Sequence, residues 1–302
     1  MNEFEGLVYP MGPPLRGFNH PWNEARYIII GFPFDGTSSY RPGTRFGPLN
    51  IRLSSLMIES MSLFSKLSID EIPIYDIGDV TVVHGNVTES LKRLKSVIEL
   101  VLNKNKKPMV IGGEHTLTLG VLNALKRHIK QDEFCLVSLD AHMDLYDEWP
   151  LGQRVSHATT LRRSYELLGN SDIIIVGVRA CDPEEITFAE EHNIKYISSF
   201  DIDSKSTREV LLERIKDKQV YLSLDIDVLD PSIAPGVGNP EAGGLNYHTL
   251  LKLLKLIIQH SKEMLGFDLV EFNPLVDMTG TTSVIATRLL YEVLSLDYPR
   301  SH

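Results

Sequence analysis

The chain has 302 residues, of which 43% are hydrophobic and 23% charged, values typical of a globular protein, so a fibrous or disordered chain is excluded. Its 30 lysines and arginines against 40 aspartates and glutamates give a formal net charge of −10. This balance argues against nonspecific nucleic-acid binding and against docking on an anionic membrane, and it permits a cationic small substrate.

Three further features favour a soluble, cytoplasmic protein. The two cysteines, Cys135 and Cys181, belong to no CxxC or Cys/His cluster, so neither a disulfide framework nor a Cys-based zinc site is expected, and a reducing compartment fits best. No apolar stretch reaches the roughly 18 residues that span a bilayer. The first residues lack the basic segment and following apolar segment of a secretory signal.

In chain order, residues 1–25 carry several Pro and Gly and are predicted to form an extended arm. Short β-branched runs then alternate with amphipathic segments. The predicted strands are 26–32, 72–77, 108–111, 134–139, 173–178, 220–224 and 264–270, with a weaker one at 195–198. The predicted helices are 87–103, 118–129, 182–192, 207–216, 247–259 and 283–296. This alternation predicts an α/β protein: a three-layer α/β/α domain over 1–302 with a mostly parallel central sheet of about eight strands.

Three of these strands lead directly into acidic or histidine-bearing segments. The side chains concerned are His115 after strand 108–111, Asp140, His142 and Asp144 after strand 134–139, and Asp225 and Asp227 after strand 220–224. In an extended chain, residues two apart point to the same face, and ligands of open α/β sheets bind beyond the carboxyl ends of the strands. The sequence therefore predicts that two imidazoles and four carboxylates face one crevice.

Four carboxylates gathered in one crevice repel one another unless cations compensate them, and two divalent ions balance their charge. Carboxylate and imidazole ligands without thiolate suit Mn²⁺ and, less selectively, Zn²⁺, Fe²⁺ or Co²⁺. A two-metal site lowers the pKa of a bridging water and so provides hydroxide near neutral pH.

Several motifs resemble the ureohydrolase (arginase/agmatinase) family. They are His115 in GGEHT, SLDAHMD at 138–144, SLDIDVLDPSIAPGVGNPEAGGL at 223–245 and DLVEFNP at 268–274. The match runs in the same order from about residue 27 onward. Together with the segment RVSHATTLRR at 154–163, it is closest to archaeal-type agmatinases, although many bacterial agmatinases have Gly in place of Ala158.

The resemblance implies an arginase-like fold, a homo-oligomer (trimer or hexamer) and two Mn²⁺ per subunit. One ion would be held by His115 and Asp144 and the other by His142 and Asp227, with Asp140 and Asp225 bridging them. It further implies that His157 shuttles protons and that Glu271 pairs with the substrate guanidinium; we count Asp144, His157 and Glu271 as catalytic.

Elementary chemistry agrees with these implied roles. A guanidinium is a poor electrophile whose pKa lies above about 12, so attack on its carbon needs a strong nucleophile. A carboxylate such as that of Glu271 can orient the guanidinium through two parallel hydrogen bonds. The amine that leaves must be protonated, which a group titrating near pH 7, such as His157, can do. The acidic and aromatic segment 146–149 follows the metal-binding strand and could attract a cationic substrate tail.

The favoured activity is hydrolysis of agmatine to putrescine and urea. Aminopropylagmatine, arginine, guanidinobutyrate and guanidinopropionate remain alternatives, because they share the guanidinium and the metal motifs do not read the tail. A noncatalytic metal-binding relative is disfavoured because every ligand position is filled. Another bimetal hydrolase, such as a phosphoesterase, is disfavoured because Glu271 would repel phosphate.

Overall fold

The structure, a computed structural model, describes residues 2–169 and 172–299. Its strands are β1 (Val8–Tyr9), β2 (Tyr27–Phe32), β3 (Met61–Ser62), β4 (Leu67–Ser68), β5 (Ile74–Val80), β6 (Lys107–Gly112), β7 (Phe134–Leu139), β8 (Asp172–Val178), β9 (Lys195–Ser198), β10 (Gln219–Asp225) and β11 (Glu263–Val270). Its α-helices are α1 (Gly47–Ser55), α2 (Val87–Leu102), α3 (Leu117–Leu125), α4 (Thr160–Leu168), α5 (Pro183–Glu191), α6 (Lys205–Ile215), α7 (Tyr247–His260) and α8 (Thr281–Asp297).

Nine of these strands form one sheet in the order β1-β5-β2-β6-β11-β10-β7-β8-β9. Every neighbouring pair is parallel except β1 with β5, which is antiparallel. The predicted mostly parallel sheet is confirmed, and it has one strand more than the eight predicted. The additional strand is β1, which lies within the N-terminal arm and is too short, at two residues, to give a periodic pattern.

Helices cover both faces of the sheet, as the continuous apolar strands predicted. One apolar cluster packs α1, α6, α7 and α8 against one face, and the other packs α2, α3, α4 and α5 against the opposite face. In β2, Tyr27 and Ile29 point into the first cluster and Ile28 and Ile30 into the second, all fully buried. This is the three-layer α/β/α arrangement.

Two helices were missed from the sequence. Helix α1 follows a loop rich in Pro and Gly and itself begins with Gly47 and Pro48, which favour turns in a sequence pattern. Helix α4 directly follows the 3-10 turn His157–Thr159 in a polar stretch.

Within the described ranges, no helix combines the length and the apolar character that crossing a bilayer requires.

Candidate metal centre and active site

Four central strands bring the predicted site residues together. Strands β6, β11, β10 and β7 are consecutive in the sheet and parallel, so their carboxyl ends form one edge. The side chains that follow them at this edge are His115 after β6, Glu271 after β11, Asp225 and Asp227 at the end of β10, and Asp140, His142 and Asp144 after β7.

The turn from β6 into α3 depends on Gly113. A Cβ at this position would lie 2.1 Å from the carbonyl oxygen of Phe34 and 2.6 Å from that of Phe32, so no larger residue fits without backbone movement. The close approach of the two strand ends places the next residues, Glu114 and His115, inside the protein, where both are almost completely buried.

Two groups of ligand atoms lie within a metal ion's reach of one another. His115, Asp140 and Asp225 form one group, and Asp140, His142 and Asp227 form the other, so that Asp140 is shared. The Nδ1 atom of His115 lies 3.2 Å from Asp140 Oδ2 and 3.7 Å from Asp225 Oδ2. The Nδ1 atom of His142 lies 2.9 Å from Asp227 Oδ2 and 3.6 Å from Asp140 Oδ1.

The sixth predicted ligand, Asp144, lies beside the first group. Its Oδ2 atom is 2.9 Å from His115 Nδ1. Asp144 has a φ of 50° and Glu271 a φ of 62°, a region that residues other than Gly, Asn and Asp rarely adopt. Asp tolerates this region, so the backbone strain falls on Glu271, whose carboxylate lines the same cavity as that of Asp144; functional cavities are the setting in which such strain usually persists.

The donor set fits a pair of divalent cations. Two buried atoms that point into the cluster, His115 Nδ1 and Asp140 Oδ2, have no hydrogen-bond partner among the described residues. Burial and the charges of Asp227 and Asp140 raise the pKa of Asp225 well above its usual range, and burial and Asp140 raise that of Asp144 to about 6. A cluster of buried carboxylates that raise one another's pKa values is stabilised by bound cations.

Polar groups behind His115 fix its tautomer. The Oγ of Ser223 lies 3.1 Å from His115 Nε2 and donates to Asp268 Oδ1 at 2.6 Å, so it accepts from His115 and Nε2 carries the proton. Asp268 also accepts from Tyr221 at 2.7 Å and Thr118 at 2.9 Å. The Nδ1 lone pair of His115 is therefore free to bind a metal, because the proton is held on Nε2 by its hydrogen bond to Ser223.

His157 lies at the other side of the cavity and is buried. Its Nδ1 is 4.0 Å from Glu271 Oε1, and its Nε2 is 3.0 Å from Ser39 Oγ. Burial, with the nearby His142 and His115, lowers the pKa of His157 to about 4. The sequence predicted a group that titrates near pH 7 at this position; in the structure the 3-10 turn that carries His157 is packed inside the protein.

Glu271 lies beside the predicted metal ligands. Its Oε1 accepts from the backbone N of His115 at 2.8 Å, which fixes the carboxylate beside the predicted metal ligands. Burial, followed by the charge of Glu114, raises the pKa of Glu271. A cationic group placed against it would relieve this cost.

These side chains open into a cavity of about 270 Å³. Its lining includes residues that sequence reasoning did not assign or left open: Ser39, Tyr146, Trp149, Asp182, Glu185 and Asn239. Asp182 precedes α5 and Glu185 lies in its first turn, so the connection from β8 to α5 was the available signal. Ser39 lies in a loop of small polar residues, and nothing in the sequence indicated that it lines the cavity.

An acidic and imidazole-bearing donor set at the carboxyl edge of a parallel sheet is the arrangement of a metal-dependent hydrolase. Comparison with known proteins identifies the family of hydrolases. The model of the arginase family matches residues 25–295. The chain is 39% identical over 275 residues to the N(1)-aminopropylagmatine ureohydrolase of Thermococcus kodakarensis, with 89% of each chain covered.

Two further relatives agree. The agmatinase of Bacillus subtilis is 35% identical over 273 residues, which cover 90% of this chain and 92% of the relative. The crystal structure of the agmatine ureohydrolase of Thermoplasma volcanium aligns with a TM-score of 0.84 at 32% identity, covering 96% of this chain and 95% of that one. The chain therefore belongs to the arginase family, whose members depend on a binuclear metal centre, and it is an amidinohydrolase, a hydrolase of guanidino carbon–nitrogen bonds.

Proposed function

We propose that this protein hydrolyses agmatine to putrescine and urea with two Mn²⁺ per subunit. The observation that carries the proposal is the convergence of two overlapping metal-ligand groups and Glu271 on one edge of the sheet and into one cavity. The relatives named agmatinase support agmatine as the substrate.

The residues present suit this chemistry. We assign His115 and Asp144 to one ion and His142 and Asp227 to the other. Asp140 and Asp225 would bind both ions. When bound, such a pair of ions supplies a water that is deprotonated near neutral pH, the nucleophile that attack on a guanidinium carbon needs. Oxygen and nitrogen ligands without thiolate suit Mn²⁺ among the available metals.

The remaining groups orient the substrate and move a proton. The Glu271 carboxylate accepts hydrogen bonds from the guanidinium and holds its carbon against the metal-ligand cluster. The breaking carbon–nitrogen bond leaves an amine that must gain a proton. We assign this transfer to His157, whose neutral imidazole accepts the proton that the added water releases and passes it to the departing amine; its Nδ1 lies 4.0 Å from Glu271 Oε1 and its Nε2 lies 3.0 Å from Ser39 Oγ.

A second substrate, N1-aminopropylagmatine, is favoured by one specific observation. The relative from Thermococcus kodakarensis that bears this name is 39% identical to the chain, whereas the Bacillus subtilis agmatinase is 35% identical. Both substrates share the guanidinium and a cationic tail, so the same catalytic assignment serves either. Comparing kcat/KM for the two, with arginine as a third substrate, decides between them.

The test of the proposed function is urea release. Protein loaded with Mn²⁺ is expected to release urea and putrescine from agmatine in equal amounts, and treatment with a chelator is expected to abolish the activity. Glu271→Gln should lose most of the activity, whereas Glu213→Gln, exposed on α6 and absent from the cavity lining, should keep it. Metal-loaded protein that releases no urea from agmatine, aminopropylagmatine, arginine or guanidinobutyrate would overturn the proposal.

We also propose that residues 1–302 act as one domain, that the protein is cytoplasmic and that it works as a homo-oligomer, a trimer or hexamer. The apolar side chains of Leu53, Leu56 and Met57 are exposed at the end of α1, which supports a surface covered by another subunit. Light scattering after size exclusion measures the oligomeric state, and a monomeric mass at working concentration would contradict this part of the proposal.

A further inference from the structure

The side chain of Arg179 joins three segments of the chain beside the metal-ligand cluster. Arg179 follows β8, and its guanidinium donates hydrogen bonds of 2.6–3.3 Å to backbone carbonyl oxygens at the end of β8, in the turn after β10 and in the loop 236–244. A guanidinium has five N–H groups in one plane, so a single side chain can bind carbonyls from several directions. The carbonyls bound are those of Gly177, Asp227, Val228, Leu229 and Glu241.

The shortest of these contacts is made to the backbone of a predicted metal ligand. Arg179 Nη2 lies 2.6 Å from the carbonyl oxygen of Asp227, and the next two carbonyls along the chain are bound at 3.3 and 3.2 Å. Asp227 lies within the 3-10 turn Ile226–Val228, and its carboxylate Oδ2 lies 2.9 Å from His142 Nδ1. The guanidinium therefore fixes the stretch of backbone from which the Asp227 carboxylate projects towards His142.

The backbone of Arg179 holds the neighbouring strand end. The amide N atoms of Arg179 and Ala180 donate to the carbonyl oxygen of Ala141 at 2.9 and 3.0 Å. The amide N of Ala141, which directly precedes His142, donates to Asp227 Oδ1 at 3.1 Å. In the sheet, β7 lies between β8 and β10, so Arg179 spans the end of β7 and connects the two strand ends that carry His142 and Asp227.

The loop 236–244 is shaped to accept this side chain. A Cβ at Gly244 would lie 2.7 Å from Arg179 Nη2 and 2.4 Å from the backbone N of Asp230, so no larger residue fits there without movement. A second arginine, Arg41, binds the start of the same loop by donating to the carbonyls of Val237 and Gly238, each at 3.0 Å. Among the described residues, the side-chain hydrogen bonds of Arg41 end on this loop and on no metal ligand.

We propose that Arg179 is a positioning residue that holds Asp227 and His142 in the geometry that binds their metal ion. The inference rests on the proposed function, because that ion is one of the two assigned there. Ligands that are already held in place pay little ordering cost when an ion binds, whereas a mobile turn pays that cost on binding. Loss of the guanidinium therefore weakens the ion bound by His142 and Asp227 and leaves the ion bound by His115 and Asp144 unaffected.

The test is the Mn²⁺ content of Arg179→Lys, measured by mass spectrometry after dialysis against graded free Mn²⁺. Lysine keeps the positive charge but places its three N–H groups on one atom, so it cannot reproduce the set of carbonyl contacts. One of the two ions should bind about 10- to 100-fold more weakly than in the wild type, the range for losing a group that orients a metal ligand. Arg179→Gln, whose amide can still donate to one or two carbonyls, makes the same comparison if Arg179→Lys does not fold.

Arg41→Lys is the matched control, because it makes the same substitution on the same loop and should leave the affinity for both ions unchanged. The background His142→Ala identifies the ion concerned. That variant loses a ligand of the weakened ion, so adding Arg179→Lys to it should leave the affinity of the remaining ion as it was.

Wild-type affinity for both ions in Arg179→Lys, an equal loss in Arg41→Lys, or a further loss of the remaining ion in the His142→Ala background would overturn the inference. Wild-type protein that binds two Mn²⁺ and releases no urea from any guanidino compound would instead overturn the proposed function. The two failures are therefore distinguishable, since the first is measured without substrate.

Discussion

Replacing Ser223 by Ala should weaken metal binding without touching a metal ligand. In the wild type, Ser223 accepts from His115 Nε2 at 3.1 Å and so keeps the proton away from Nδ1. In the variant, the metal-free protein can move this proton to Nδ1, which lies 2.9 Å from Asp144 Oδ2 and would donate to it. In the metal-bound form Nδ1 binds the metal, so the proton must stay on Nε2. There it is buried without a hydrogen-bond partner.

The size of the effect follows from this difference. A buried donor left without a partner costs about 1–3 kcal/mol, and the metal-bound form alone bears that cost. Loss of the group that accepts a hydrogen bond from the other ring nitrogen of a ligating histidine typically weakens metal binding about 10- to 100-fold. Asp268 keeps its hydrogen bonds from Tyr221 and Thr118, so we expect the fold to persist.

Metal content measured by mass spectrometry after dialysis against graded free Mn²⁺ tests this prediction. One of the two expected ions should be lost at about 10- to 100-fold higher free metal than in the wild type. Ser138→Ala is the matched control: Ser138 lies at the paired position on β7, is fully buried, and its hydroxyl has no partner among the described residues. Unchanged binding in Ser223→Ala, or equal weakening in Ser138→Ala, would refute the tautomer argument.

Three other outcomes follow from the structure. His142→Ala should abolish urea release yet shift the melting temperature by only a few degrees, because that side chain is 25% exposed; parallel unfolding and activity measurements check this. Burial raises the pKa of Glu292 above its ordinary 4.5, so its stabilising contribution is complete below that value and is lost as the pH rises through the folded pKa. Glu292→Gln should therefore stabilise the protein more at pH 8 than at pH 4 in thermal melts; the reverse order would contradict the assignment. Iodoacetamide should label exposed Cys181 in the native protein and leave Cys135 unlabelled, since burial raises the pKa of that thiol to about 12, and mass spectrometry of peptides reads the result.

The parallel sheet and the predicted ligand cluster could be inferred from the sequence because both depend on local patterns. Buried parallel strands produce continuous apolar runs, and residues 134–139 were bounded correctly for that reason. The ligands follow strands directly, so the rule that strand ends meet at one edge was enough to group them. No long-range information was needed to place His115 near Asp140.

The groups that fix the tautomer of His115 and lower the pKa of His157 could not be predicted from the sequence. They lie in elements that are distant along the chain and come into contact only when it folds. Asp268 lies inside β11 and Ser223 inside β10, where each is one polar residue within an apolar run. Their contact with His115 depends on the sheet order, which places β11 between β6 and β10. The lowered pKa of His157 likewise follows from burial of a turn that sequence reasoning had placed in a polar loop.

Side chains in the cavity are positioned in two different ways, by strand ends and by a loop. This difference explains why membership of the family does not by itself determine which guanidino compound is the substrate. At the sheet edge, positions are set by strand ends and by the left-handed backbone of Asp144 and Glu271, and in the proposed function any guanidinium binds there in the same way. At the opposite wall, positions are set by a loop that Glu185 and Arg163 attach to the fold. Such loops vary more readily than strand ends. Substrate choice in this protein is therefore expected to depend on the loop after β7 rather than on the metal ligands.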